Sequence, residues 1–218
     1  ITTGSGNDTI IMGTNLTALD VIDAGANTTL TDGTAGKDTL TTTIDALGTV
    51  DTPAALSIAN VETLTLNTAT AASVINAAGI TGNSTIELTA GQNVTMTNIA
   101  AGTSIQLGSG ATEYAAGTLD LSLADETGAA DAMTLAVTNS ADATSSATLK
   151  VSSTVETLNV VASTESTNPE ATNLTNTLML ATNVVVTKGA AADTLALGTL
   201  STSTTNVDAS GYDGILTA

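Results

Sequence analysis

The residues with the clearest capacity for chemistry lie at the start of the chain. Gly4-Ser5-Gly6-Asn7-Asp8-Thr9-Ile10 spaces two glycines, a carboxylate and an aliphatic side chain as G-x-G-x-D-x-apolar. Glycines at that spacing permit a turn whose carbonyls point inward, and Asp8 adds a charged, hard oxygen. A neighbouring turn of the same kind completes an oxygen cage suited to Ca²⁺. Ile10, two residues after the Asp, anchors the following strand in the core. Degenerate copies follow. Asp20-Val21-Ile22-Asp23-Ala24-Gly25 precedes Gly36-Lys37-Asp38-Thr39-Leu40, and Asp131 and Asp193 stand in later turns of related composition. Asp8, Asp20, Asp23, Asp38, Asp131 and Asp193 are therefore candidate Ca²⁺ ligands. Each also has a plainer reading as an ordinary β-turn residue.

Glu62 and Glu156 recur in Val-Glu-Thr-Leu. A glycosidase needs two carboxylates facing each other across a bond. These two hold equivalent places in successive repeats, which points to a structural role at a strand start.

Such turns require regular elements to hold them. Runs of strand composition occur at residues 9–12, 38–43, 62–67, 85–89, 93–97, 104–107 and 118–123. They continue at 133–138, 147–151, 155–161, 177–180, 183–187 and 193–197. Most alternate Val, Ile or Leu with Thr, Asn or Ser, the period of a strand with one buried face. Residues 69–78 are the one place where a short helical turn is expected. Val61–Leu66 returns as 155–160, with echoes of residues 36–40 at 129–135, of 84–88 at 176–180 and of 93–97 at 183–187. This predicts an internal repeat spanning about 33–99 and 128–189, with a third copy opening near 190. Strand-and-turn repeats that cannot close their own apolar face are stabilised by stacking on their neighbours. The expected fold is all-β, one continuous parallel β-solenoid over residues 1–218 with irregular loops, read as a piece of a longer chain.

Composition narrows the function. The chain has 218 residues, no His, no Cys, no Trp, no Phe and two Tyr, with 3 basic and 21 acidic residues for a net charge of -18. Without His or Cys there is no Ser-His-Asp or Cys-His nucleophile and no zinc held by those ligands. Three lysines, Lys37, Lys150 and Lys188, cannot neutralise a nucleic acid or grip an anionic membrane. No apolar run is long enough to span a bilayer. A hydrophobic content of 42% is too high for a disordered acidic tail. A core built without Phe or Trp must be thin, and stacked carboxylates repel unless a cation offsets them.

Taken together, Gly4–Ile10, the Asp-Thr-Leu turns at Asp38 and Asp193, the Val-Glu-Thr-Leu strands and Asn206-Val207-Asp208-Ala209-Ser210 resemble RTX-type bacterial surface-layer proteins exported by type I secretion. The resemblance implies a calcium-dependent β-solenoid that self-assembles into a lattice or fibre on the exterior of a Gram-negative cell. It carries over Asp8, Asp38 and Asp193 as ligands, with Asn7 and the carbonyls of Gly4 and Gly6. The chain departs from that pattern in having few full nonapeptides in tandem and no visible C-terminal secretion signal. The implied partners are further copies of the chain and a cell-surface polysaccharide, with neither nucleic acid nor membrane insertion. The alternatives are a spacer region of a large RTX adhesin and a carbohydrate-active β-helix enzyme, the latter disfavoured by the lack of Arg and of aromatic platforms. Ice binding through Thr ladders is disfavoured because the Thr spacing along the sequence is irregular.

Overall fold

The structure, a computed structural model, describes residues 1–17, 19–27, 36–43, 56–67, 73–82, 85–89, 93–108, 115–137, 145–151, 154–162, 171–179, 181–188 and 194–218. Strands are numbered in chain order. The largest sheet runs β1 (Thr9–Gly13), β3 (Thr39–Thr43), β5 (Thr63–Asn67), β8 (Thr85–Thr89), β10 (Ser104–Leu107), β12 (Ala132–Val137), β14 (Thr157–Ala162), β16 (Asn183–Lys188) and β18 (Asn206–Tyr212). A second runs β6 (Ser73–Asn76), β9 (Val94–Ile99), β11 (Ala115–Leu123), β13 (Ser145–Val151), β15 (Ala171–Met179), β17 (Thr194–Ala196) and β19 (Ile215–Thr217). A third has three short strands, β2 (Val21–Asp23), β4 (Ser57–Ala59) and β7 (Ile80–Thr81). Among the described residues the chain is all β apart from one 3-10 turn, Ala77–Gly79, and the strand pairing is parallel.

In every sheet the spatial order of strands is their order along the chain. The chain leaves the nine-stranded sheet after each strand, adds to another sheet, and returns one strand further on. Parallel pairing demands such crossovers, because two parallel neighbours cannot be joined by a tight hairpin. Successive returns are 30, 24, 22 and 19 residues apart at Asp38, Glu62, Glu87 and Gln106. The connections absorb these differences while the strands stay aligned.

Alignment turns the alternating sequence into columns. Ile10, Leu40, Leu64, Ile86, Ile105, Leu135, Val160 and Val186 are consecutive partners across the nine-stranded sheet. All eight are buried. Ile75, Met96, Leu121 and Val151 form a matching buried column in the seven-stranded sheet. Both belong to one hydrophobic cluster, filled by branched aliphatic chains and Met in place of rings. On the outer face Thr9, Thr39, Thr63, Thr85, Ser104 and Thr134 stand in one row. Their irregular spacing in sequence thus becomes regular in space, at the strand separation of about 4.8 Å.

The sequence pattern misses several elements. The strands β2, β4 and β7 are too short to show any period, and Val21–Asp23 reads as turn material. Residues 73–76, expected near a helical turn, form strand β6, because Ile75 belongs to a buried column. The 3-10 turn follows at Ala77–Gly79, capped by Asn76, whose side chain accepts from Ala78 N–H at 2.9 Å.

The two halves matched by sequence do not superpose row by row. The Val-Glu-Thr-Leu segments both enter the nine-stranded sheet, on β5 and β14. Residues 85–88 lie in β8 of that sheet, whereas their echo falls on β15 of the seven-stranded one; 93–97 and 183–187 are exchanged the other way. Following one row from Thr63 leads through Thr85, Ser104 and Thr134 to Asn159, two residues beyond Thr157. The sheet has widened by one inward column, Met133, Leu158 and Val184, all buried.

Leu64→Ala, in the middle of the long column, is expected to cost about 2–5 kcal/mol of unfolding free energy. Thr41→Ala on the outer face should stay within about 0.5 kcal/mol. Urea unfolding of the two variants measures the contrast.

Candidate functional site

Immediately before the strands of the nine-stranded sheet the sequence repeats an acid, a Thr and an aliphatic residue. The copies are Asp8-Thr9-Ile10, Asp38-Thr39-Leu40, Glu62-Thr63-Leu64 and Glu156-Thr157-Leu158. The aliphatic residue is fixed in an inward column, so in these four copies the acid falls at the strand entrance. There the backbone is still paired: Thr39 N–H donates to Asp8 O at 2.9 Å, and Thr63 N–H to Asp38 O at 3.1 Å.

The side chains of these acids complete a ladder directed at the preceding circuit. Asp8 N–H donates to Asp38 Oδ1 at 2.6 Å, and Asp38 N–H donates to Glu62 Oε2 at 2.7 Å. Further along, Asp131 N–H donates to Glu156 Oε2 at 2.8 Å. Hydrogen bonds from amides to carboxylates are stronger than neutral ones. They give the sheet entrance a fixed set of donors that partly offset the negative charge. Glu62 and Glu156 therefore join the Asp residues as ladder members, a role consistent with their place at strand starts.

The offset is incomplete. Asp8 Oδ2, Asp38 Oδ2 and Asp131 Oδ2 are buried and have no hydrogen-bond partner among the described residues, and Asp38 as a whole is fully enclosed. A buried acidic oxygen without a donor is costly. Beside Asp131 the fold leaves room by placing Gly128, where a Cβ would come within 2.5 Å of Asp131 Oδ1.

The remaining candidates are distributed differently. Asp20 Oδ2 accepts from Thr17 N–H at 2.6 Å and from Thr17 Oγ1 at 3.0 Å, closing a local turn. Asp23 Oδ1 accepts from Asn60 Nδ2 at 2.8 Å and Gly25 N–H at 3.0 Å. Gly4 and Gly6 run beside the segment after β2, with Thr3 N–H on Asp23 O at 3.0 Å and Gly6 N–H on Ala26 O at 3.3 Å. Gly25, at φ +87, packs so closely on the Gly4 carbonyl that any Cβ there would collide with it. Asn7 is exposed. Asp193 lies outside the described residues. The structure thus brings Asp8 and Asp38 together with Glu62, sets Asp131 with Glu156, and leaves Asp20 and Asp23 engaged in turns of their own. Among the described residues no three acidic side chains converge on one point that could hold a metal ion.

Three acids are held below the ordinary aspartate range by hydrogen bonds to their charged form. Asp23 is lowered first by the Asn60 amide and then by Gly25 N–H, Asp125 by the hydroxyl and then the N–H of Thr127, and Asp208 by the N–H and then the hydroxyl of Ser210. A depressed folded-state value means that the stabilisation is complete above the unfolded aspartate value and is lost as pH falls through the folded one. Asn60→Ala removes the largest contribution at Asp23, so its titration should move upward toward the ordinary value, as read from carboxyl-carbon NMR shifts. An unmoved midpoint would remove Asn60 from this account. No protein family, curated protein or solved structure matches the chain.

Proposed function

We propose that the chain is a segment of a parallel β-solenoid, stabilised by Ca²⁺, that serves as a structural subunit outside the cell and self-associates. Its role is mechanical rather than catalytic. The observation that supports this reading most is the set of buried, donorless oxygens on Asp8, Asp38 and Asp131 at strand entrances. Carboxylate oxygens with nearby main-chain carbonyls are the donor chemistry of a hard cation. In this reading Asp8 and Asp38 hold one ion and Asp131 another, each completed by backbone oxygens rather than by a third acid. The amide ladder spends one oxygen of Asp38 on the preceding circuit and leaves the other for the ion. Bound Ca²⁺ then supplies positive charge to a chain of net charge -18 and couples folding to the calcium level of the medium. The motif resemblance to RTX surface-layer proteins agrees with such a role.

The test is a calcium titration followed by thermal unfolding and circular dichroism. Binding to the folded form alone should add about 2.7 kcal/mol when free Ca²⁺ reaches a hundred times its dissociation constant. The sign of Asp38→Asn decides the cause. In excess Ca²⁺ the variant should be less stable than the parent, because a ligand charge is gone. In chelator it should be more stable by about 1 kcal/mol or more, because a donorless acidic oxygen has been removed. A variant that ranks the same way in both media rejects calcium at this site.

A further inference from the structure

Asp38 differs from the other strand-entrance acids in how it is enclosed. Residues 36, 38 and 40 are buried while Lys37 among them is exposed, so the Asp38 carboxylate lies on the inward side with Leu40. At 0% exposure it is the one charged side chain among the described residues that is wholly buried. Its surroundings are fixed from both sides. Toward the circuit before, Asp38 Oδ1 accepts from Asp8 N–H at 2.6 Å, and Asp8 O accepts from Thr39 N–H at 2.9 Å. Toward the circuit after, Asp38 N–H donates to Glu62 Oε2 at 2.7 Å, and Asp38 O accepts from Thr63 N–H at 3.1 Å. These four bonds tie three consecutive circuits together, and Asp38 sits in the middle one. Asp8 Oδ2 and Asp38 Oδ2, which have no donor among the described residues, are both buried at this entrance.

The Asp131 entrance is built differently. Asp131 is partly exposed, and the seven residues before it, 124–130, are all exposed. Its N–H donates to Glu156 Oε2 at 2.8 Å, and its carbonyl accepts from Glu156 and Thr157 N–H at 3.0 and 3.1 Å, all in the following circuit. Gly128 of the exposed segment stands directly against Asp131 Oδ1, so part of what covers this acid is loop. A bound group leaves an enclosed oxygen no faster than the enclosure opens. At Asp38 opening means breaking the hydrogen bonds between circuits at the sheet entrance. At Asp131 it means moving a solvated segment aside.

We infer that Ca²⁺ held by Asp8 and Asp38 is locked into the folded chain, whereas Ca²⁺ at Asp131 exchanges with the medium. The locked ion enters while the circuits of Asp8, Asp38 and Glu62 assemble, and it leaves only when that entrance unzips. This lock rests on the calcium reading proposed above and adds the regulation of the same site. Calcium then decides whether the chain folds, but a later fall in calcium does not promptly undo the fold. Retention is set by the barrier to opening rather than by the equilibrium occupancy. The two sites therefore divide the labour: one makes folding depend on the ion, and the other follows its level.

The test follows release of the ion. The protein is folded in Ca²⁺, freed of excess, and mixed rapidly with a fluorescent calcium chelator, in water and in urea below the unfolding transition. Release should show two phases. The slow phase should accelerate log-linearly with urea, because opening the sheet entrance exposes surface, and the fast phase should not. Asp38→Asn should abolish the slow phase and keep the fast one, and Asp131→Asn should do the reverse. A single phase, a slow phase indifferent to urea, or a slow phase that survives Asp38→Asn overturns the lock and leaves the calcium role standing. A folded chain that releases no Ca²⁺ at all rejects the calcium role and the lock with it. If Asp38→Asn does not fold, the urea dependence of the parent and of Asp131→Asn decides alone.

Discussion

The parallel hydrogen-bond ladder between successive circuits governs everything else in this molecule. It fixes neighbouring strands about 4.8 Å apart and in register, so that each side chain sits above its counterpart from the circuit before. Stacking like on like is favourable for aliphatic residues, and the long column from Ile10 to Val186 is the result. It is acceptable for Thr, whose β-branched side chain suits an outward strand position and whose hydroxyl meets water. For carboxylates it is unfavourable, because like charges repeat at the strand spacing. The fold meets this partly through main-chain amides, which the carboxylates of Asp38, Glu62 and Glu156 accept. Elsewhere it interleaves opposite charge: Lys150 pairs with Asp120 at 2.6 Å across neighbouring strands β13 and β11.

How much of this was legible in the sequence depends on which residues carry the signal. The period-2 alternation at 85–89 and 104–107 coincides with β8 and β10, because Ile86, Leu88, Ile105 and Leu107 are buried while Thr85, Glu87, Ser104 and Gln106 between them are partly exposed. The three-residue strands β2 and β4 gave no such signal, since their pairing partners lie some three dozen residues away and no local pattern encodes them. The acid-Thr-aliphatic triplets were visible, but their meaning was not. Sequence spacing suggested acids gathered around an ion. What the structure adds is that the carboxylates of Asp38, Glu62 and Glu156 reach back to an amide one circuit earlier, a contact that exists only once the register is set.

The repeat shows the same limit from another side. Residues 61–66 and 155–160 share their first four residues because both are entrances to the same sheet, with an aliphatic residue inward and an acid beside the turn. Their lateral positions differ by two residues, since the sheet gains the column of Met133, Leu158 and Val184 between them. Sequence similarity in such a chain reports the local environment of one strand. It does not report the phase of that strand within the stack, which is set by the accumulated lengths of the connections.

The same constraint bears on where the molecule can meet others. Interior strands have both edges satisfied by their neighbours and turn mainly Thr, Asn, Gln or acids outward, so their faces are solvated and, at net charge -18, mutually repulsive. Among the described residues, Ile11, Val21 and Ile215 are exposed on β1, β2 and β19, the outermost strands of their sheets. The repulsion disfavours contact between faces. A divalent cation bound at the strand entrances would relax it, because its charge lies between the stacked carboxylates.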